Sequence, residues 1–117
     1  MDDNRIWAFE DSLWKATPEH YAESLDEQYL CVIPNPPFVA MGAQAVDVLS
    51  ATPRWDSVEF SETHVARPQE GLIVIAYRAK AKRGDEVYDA RCSSTYRWLS
   101  HENWRVVQHQ QTPVMAD

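Results

Sequence analysis

The chain has only three glycines and two cysteines among its 117 residues, and no apolar run approaches membrane-spanning length. Each shortage excludes something. Without a glycine-rich loop there is no backbone cradle for a nucleotide's phosphates. Cys31 and Cys92 lie too far apart to match any zinc-ligand spacing. Both sit in apolar, strand-like stretches, where a free thiol packs as a small hydrophobe. Basic residues are also scarce, 11 against 18 acidic ones, for a net charge of −7. Nucleic acids and anionic membranes call for a basic face, so neither is an expected partner. The one basic cluster, RAKAKR at 78–83, alternates like the wet face of a strand. The first residues, MDDNRIW, are acidic and lack the apolar segment of a signal peptide. The expectation is a cytoplasmic protein with reduced thiols.

What is abundant is aromatic surface: five tryptophans and five tyrosines. They call for a large core, a lined cavity or an interface. The length fits one domain over residues 1–117. A chain of this size buries roughly two thirds of its unfolded surface and needs no disulfide or metal staple.

Residues 4–16 place Ile6, Phe9 and Leu13 on one helical stripe, with Trp7 and Trp14 beside it. Asp2, Asp3 or Asn4 supplies the cap. Thr17-Pro18-Glu19 opens a second helical segment, with Thr as cap, Pro at the first helical position and Glu at the positive end of the dipole. Tyr21, Leu25 and Gln28/Tyr29 continue its apolar side. A short strand, 29–33, stops at the PNPP stretch, and 42–50 forms a short helix ended by Thr52-Pro53. Four long β-rich segments follow, at 55–66, 72–82, 87–99 and 104–112. Their connections are short enough to join antiparallel neighbours. The order predicts an α+β fold with helices gathered on one side of a mostly antiparallel sheet.

Alternation assigns the faces. Ile73, Ile75, Tyr77, Ala79 and Ala81 share one face with Tyr88, Ala90, Cys92, Ser94, Tyr96 and Trp98, and the first helix should cover it. Leu72, Val74 and Ala76 make the opposite face apolar as well, as in strands buried on both sides. Helices cover only one side. The expected second cover is another copy of the chain, a homodimer through the outer sheet face with Arg91, Thr95 and Arg97 around the contact.

The acidic, aromatic N-terminal helix (FEDSLWKATPEHYAESL), the short strand ending near prolines, and the closing words CSSTYRWL and NWRVVQHQQTP carry a resemblance. Together they resemble the nuclear transport factor 2-like superfamily, in a branch of unknown function beside the ketosteroid isomerases and polyketide cyclases. The resemblance covers nearly the whole chain. It implies a cone-shaped, cystatin-like α+β fold, a curved sheet wrapped around a long N-terminal helix with an apolar pocket at the wide end. The activities it implies run from isomerisation, dehydration and cyclisation to ligand binding and oligomerisation. The isomerases use a carboxylate base with a tyrosine and a protonated acid as oxyanion donors. Here PNPPFVAMG carries no carboxylate where that base is expected, and Asp89 falls on the outer face.

His109 is the sharpest site candidate, because imidazole titrates near neutral pH and serves as acid, base or donor. The alternative is a structural imidazole tied by Gln111 and a neighbouring strand. Trp14, Tyr77, Tyr96 and Trp98 are candidates to line the pocket, against a plain core role. Glu62 and His64 share a strand face but lack a further nearby metal ligand. Ser93-Ser94 has no nucleophile elbow, and Cys92 has no charged neighbour on its face to activate it. The expected function is binding of a small apolar molecule through Trp14, Tyr77, Tyr96, Trp98, His109 and Gln111, with neither cofactor nor metal. One alternative is an isomerase, dehydratase or cyclase acting on a small carbonyl compound through His109. Another is a dimerisation module whose own aromatics fill the cone.

Overall fold

The computed structural model describes residues 1–115. Helix α1 (Asp3–Trp14) starts where the Asp2 carboxylate accepts from the Arg5 N–H at 2.8 Å. Helix α2 (Pro18–Ser24) starts at Thr17, whose hydroxyl accepts from the His20 N–H. Then come β1 (Leu25–Val32), β2 (Val39–Met41) and α3 (Gly42–Ala51). The long strands β3 (Ser57–Gln69), β4 (Leu72–Arg83), β5 (Glu86–Ser100) and β6 (Asn103–Pro113) complete the chain. The six strands form one open sheet in the order β2-β1-β6-β5-β4-β3. All neighbours are antiparallel except β1 and β6, which run parallel.

The inner face is the expected one. Ile73, Ile75, Tyr77, Ala79, Ala81, Ala90, Cys92 and Tyr96 are buried in one core with Ile6 and Trp14. Helix α1 lies over them through Trp7 against Phe60 and Tyr77, and Phe9 edge-on to Tyr96. At Gly42, φ is +56° and an added Cβ would stand 2.8 Å from the Glu27 carbonyl oxygen, so only glycine lets α3 start this close to β1. Both cysteines are buried and free.

Several sequence expectations need correction. The second helix stops at Ser24, and Leu25, Gln28 and Tyr29 belong to β1. Leu25 enters the parallel ladder with β6, paired to Val106, in place of a further helical turn. The three-residue β2, which pairs antiparallel to β1, follows the prolines and was not foreseen. The buried line of α1 is Ile6, Glu10 and Trp14, not Ile6, Phe9 and Leu13. Trp98 shares the parity of Tyr96 but lies past the helical cover, 48% exposed, its indole donating to the His101 carbonyl. It lines no part of the cone. His20 is half-buried between the Ser12 and Ser24 hydroxyls.

Candidate functional site

In the middle of the core, Glu10 is 1% exposed. Its carboxyl group accepts hydrogen bonds from Tyr77 and Ser94 on one oxygen and from Tyr96 on the other. Tyr77 in turn accepts from the Trp14 indole at 3.1 Å. A buried acid is tolerated only when its lone pairs are satisfied, and here three hydroxyls from β4 and β5 do so. Burial, then the Glu10 charge, pushes the Tyr77 and Tyr96 phenols well above their ordinary range. Both phenols stay protonated and donate to Glu10.

Strand β6 brings His109 to the same place. The pairing shifts between Thr95/Gln108 and Tyr96/Val106, so Val107 is an extra, bulged residue. The bulge lets Val106 and His109 both face inward, although three positions separate them and strict alternation would split them. Ser94 Oγ lies 2.7 Å from His109 Nδ1, and Gln111 Nε2 lies 3.1 Å from His109 Nε2. The Tyr88 hydroxyl donates to Gln111 Oε1 at 2.9 Å.

One proton arrangement satisfies the whole chain of contacts. Tyr88 donates to the Gln111 oxygen, and the Gln111 amide donates to Nε2. The Nδ1–H of neutral His109 donates to Ser94, and Ser94 donates to Glu10. Burial lowers the His109 pKa and outweighs the opposing pull of Glu10, whose oxygen is 3.7 Å from Nδ1, so the ring is neutral at pH 7. A carboxylate is thus close by, and desolvation still prevails.

A cavity of about 70 Å³ reaches this cluster. Its walls are apolar: Leu13, Trp14, Leu25, Leu49, Trp55 and Val106. Glu10, Ser94 and His109 close its inner end. Leu49, Arg54, Trp55 and Gln111 also border a surface groove toward Asn35, Arg83 and Glu86, which marks them as the mouth. Trp55 stacks on Tyr88 there, ring centres 5.6 Å apart.

Of the residues expected at the site, Trp14, His109 and Gln111 line the cavity. Tyr77 and Tyr96 stand behind it, turned to Glu10, and Trp98 is elsewhere. Glu62 pairs with Arg78 and Arg91 on the surface, so it is not free to join His64 around a metal. Sequence reasoning missed Glu10, Arg54 and Trp55, and assigned Ser94 no binding role. A signal for Glu10 was available. At about 100° per residue, it falls midway between the Phe9/Leu13 and Trp7/Trp14 flanks of α1. A lone acid at the centre of an apolar arc is a buried acid.

No family model matches the chain, and no curated protein matches it either. Solved structures do. A protein from Parabacteroides distasonis assigned as a ketosteroid isomerase superposes with a TM-score of 0.80 at 18% identity, over 93% of this chain and 85% of that one. The CamKII hub homology domain of Chlamydomonas reinhardtii gives 0.78 at 16% identity, over 98% and 100%. An NTF2-like protein from Cytophaga hutchinsonii gives 0.74 at 18% identity, over 97% and 100%. Likeness at these identities establishes architecture and leaves the chemistry to the site. With its open sheet wrapped over α1, the chain has the α+β, cone-shaped fold of the nuclear transport factor 2-like and cystatin-like proteins.

Proposed function

We propose that the chain binds a small molecule in the cone between its sheet and its helices. The observation that carries this reading is a cavity with apolar walls ending on convergent polar groups, the makeup of small-molecule sites. The inner aromatics do not fill it, which disfavours a purely structural module. Both His109 nitrogens are already engaged. Its role is therefore to hold Gln111, whose amide keeps a second N–H for a ligand oxygen.

One observation favours a second reading, an isomerase, dehydratase or cyclase acting on a small carbonyl compound. Glu10 and His109 line the same cavity, a carboxyl group and an imidazole within reach of one ligand. The saturation of Glu10 by three hydroxyls weighs against it.

A homodimer through the outer sheet face is the proposed assembly. Leu30 and Val32 on β1 register with Met41 and Val39 on β2, and with Gln108 and Gln110 on β6. All four apolar residues are exposed. Gln108 and Gln110 bond across to Thr95 and Ser93, so amides and hydroxyls continue the same face.

The binding reading is tested by ligand-observed NMR with a panel of small ketones, alcohols, amides and acids. Wild type should give hits, and Leu49→Trp at the mouth should lose them. Hits that bind Leu49→Trp equally well, or a panel without a hit, would overturn the reading. Turnover of any hit, abolished in Glu10→Gln, would favour the enzyme.

A further inference from the structure

Arg54 stands at the mouth of the cavity, half-buried. Its Nε donates to the Thr52 carbonyl at 3.1 Å and its guanidinium lies over the Tyr21 ring at 5.1 Å. Among the described residues no carboxylate reaches it, and its two Nη groups have no hydrogen-bond partner. The other charges around the mouth do not compensate. Arg83 borders the adjoining groove, stacked on Trp55 at 4.3 Å, and its own acid, Glu86, is already bound to it at 2.7 Å. Glu10 is at the closed end, engaged by three hydroxyls. Burial, then the charge of Arg83, makes the Arg54 cation less favourable than usual. A partly desolvated guanidinium beside a second one, without a counter-ion, is an unmet demand for an anion.

We propose that the site takes a short-chain carboxylate, its head on the Arg54 fork and its apolar body in the cavity. This inference rests on the binding reading above and names the ligand class. Guanidinium and carboxylate match as two parallel N–H···O bonds. Orientation follows from charge. A carboxylate driven inward would meet Glu10, so the head stays at the mouth and the hydrocarbon goes inward between Trp14, Leu25 and Val106. Size follows from volume. A cavity of about 70 Å³ is roughly half of the ~150 Å³ engineered cavity that admits a benzene ring. An aliphatic body smaller than a ring fits, and a steroid does not.

The test compares 3-methylbutanoate with its uncharged isostere 3-methylbutanamide by titration calorimetry and NMR, on wild type, Arg54→Gln and Arg54→Lys. In wild type the acid should bind at least about tenfold more tightly than the amide, the scale of one charge-assisted hydrogen bond. Arg54→Gln should erase that advantage, weakening the acid far more than the amide. Arg54→Lys, which keeps the charge and loses the fork, should fall between, and it carries the test if Arg54→Gln does not fold. An amide as tight as the acid, or undiminished acid binding in the variants, would overturn the anion site while the cavity reading stands. Failure of both probes on wild type would likewise overturn it, and the broader panel then decides the cavity reading separately.

Discussion

Ser94 Oγ donates to Glu10 Oε2 at 2.7 Å, joining the middle of β5 to the middle of α1 where neither residue is more than 1% exposed. Apolar packing alone lets a helix rotate on a sheet at little cost, because its contacts are non-directional. Hydrogen bonds from Tyr77, Ser94 and Tyr96 fix one rotation of α1. That rotation sends Trp14 toward His109, ring centres 6.4 Å apart. The polar cluster is thus a registration device for the cavity wall as well as its floor.

Glu10→Ala should therefore cost at least about 3 kcal/mol, since it strands three buried hydroxyls at roughly 1–3 kcal/mol each. Glu10→Gln keeps the shape and one acceptor oxygen but points an NH₂ at a hydroxyl donor, so it should cost less than Glu10→Ala. Urea unfolding of the three proteins checks the order. Equal stability of Glu10→Ala and wild type would mean that the cluster does not hold α1.

The pH dependence carries a definite sign. The folded-state pKa of His109 lies below its ordinary value of 6.5, with burial as the cause. Above 6.5 the ring is neutral in both states. As pH falls below 6.5 the unfolded chain takes up the proton first, so stability drops until the folded pKa is reached. Wild type should lose stability between pH 7 and pH 5, and His109→Gln should lose less over that window. Thermal unfolding at a series of pH values measures both slopes, and parallel slopes would contradict the assignment.

Asp26 behaves oppositely. Burial would raise its pKa, but the Gln28 N–H, the Arg97 guanidinium and the charges of Arg97 and Arg105 outweigh burial and lower it. Its stabilisation is present above the ordinary 3.8 and is lost as pH falls through the lowered value. Because Arg97 is half exposed, Asp26→Asn should cost only about 1 kcal/mol at pH 7. The difference from wild type should shrink toward pH 3. A gap that persists at pH 3 would show that the charge is not its source.

The strands were legible because their alternation is uninterrupted and their turns are short. Ile73 to Ala81 and Tyr88 to Tyr96 needed only a period of two to find their buried face. Within the polar run 108–111 alternation separates Gln108 and Gln110 from His109 and Gln111, but the Val107 bulge, which alternation does not foretell, decides that the latter pair faces in. The site was less legible for two physical reasons. Hydrophobic periodicity counts a charged residue against burial, so Glu10 was passed over although it sits at the centre of the apolar arc of α1. Arg54 and Trp55 lie on the connection after α3, Trp55 two residues before the strand it was expected to begin, and a connection has no periodicity to say which way a side chain points. Trp98 failed for a third reason, since parity reports the face of a sheet and not how far along it the helices extend.

The outer sheet face supports one more prediction. Leu30, Val32, Val39 and Met41 form an exposed apolar patch on β1 and β2. Val74 on β4 is half-buried and Ala76 is exposed. Contiguous exposed apolar surface rimmed by polar groups marks an association site. The neighbouring Ser93, Thr95, Gln108 and Gln110 side chains both donate and accept, so the patch can meet its own copy across a two-fold axis. A lysine in its centre would need to be desolvated twice in a symmetric contact. Light scattering at micromolar concentration should return twice the 13.5 kDa chain mass for wild type. Val32→Lys should shift that toward the monomer, while Ala22→Lys, an exposed substitution on α2 away from the outer sheet face, should leave it unchanged. A wild-type monomer, or a Val32→Lys protein as dimeric as wild type, would remove this face from the interface.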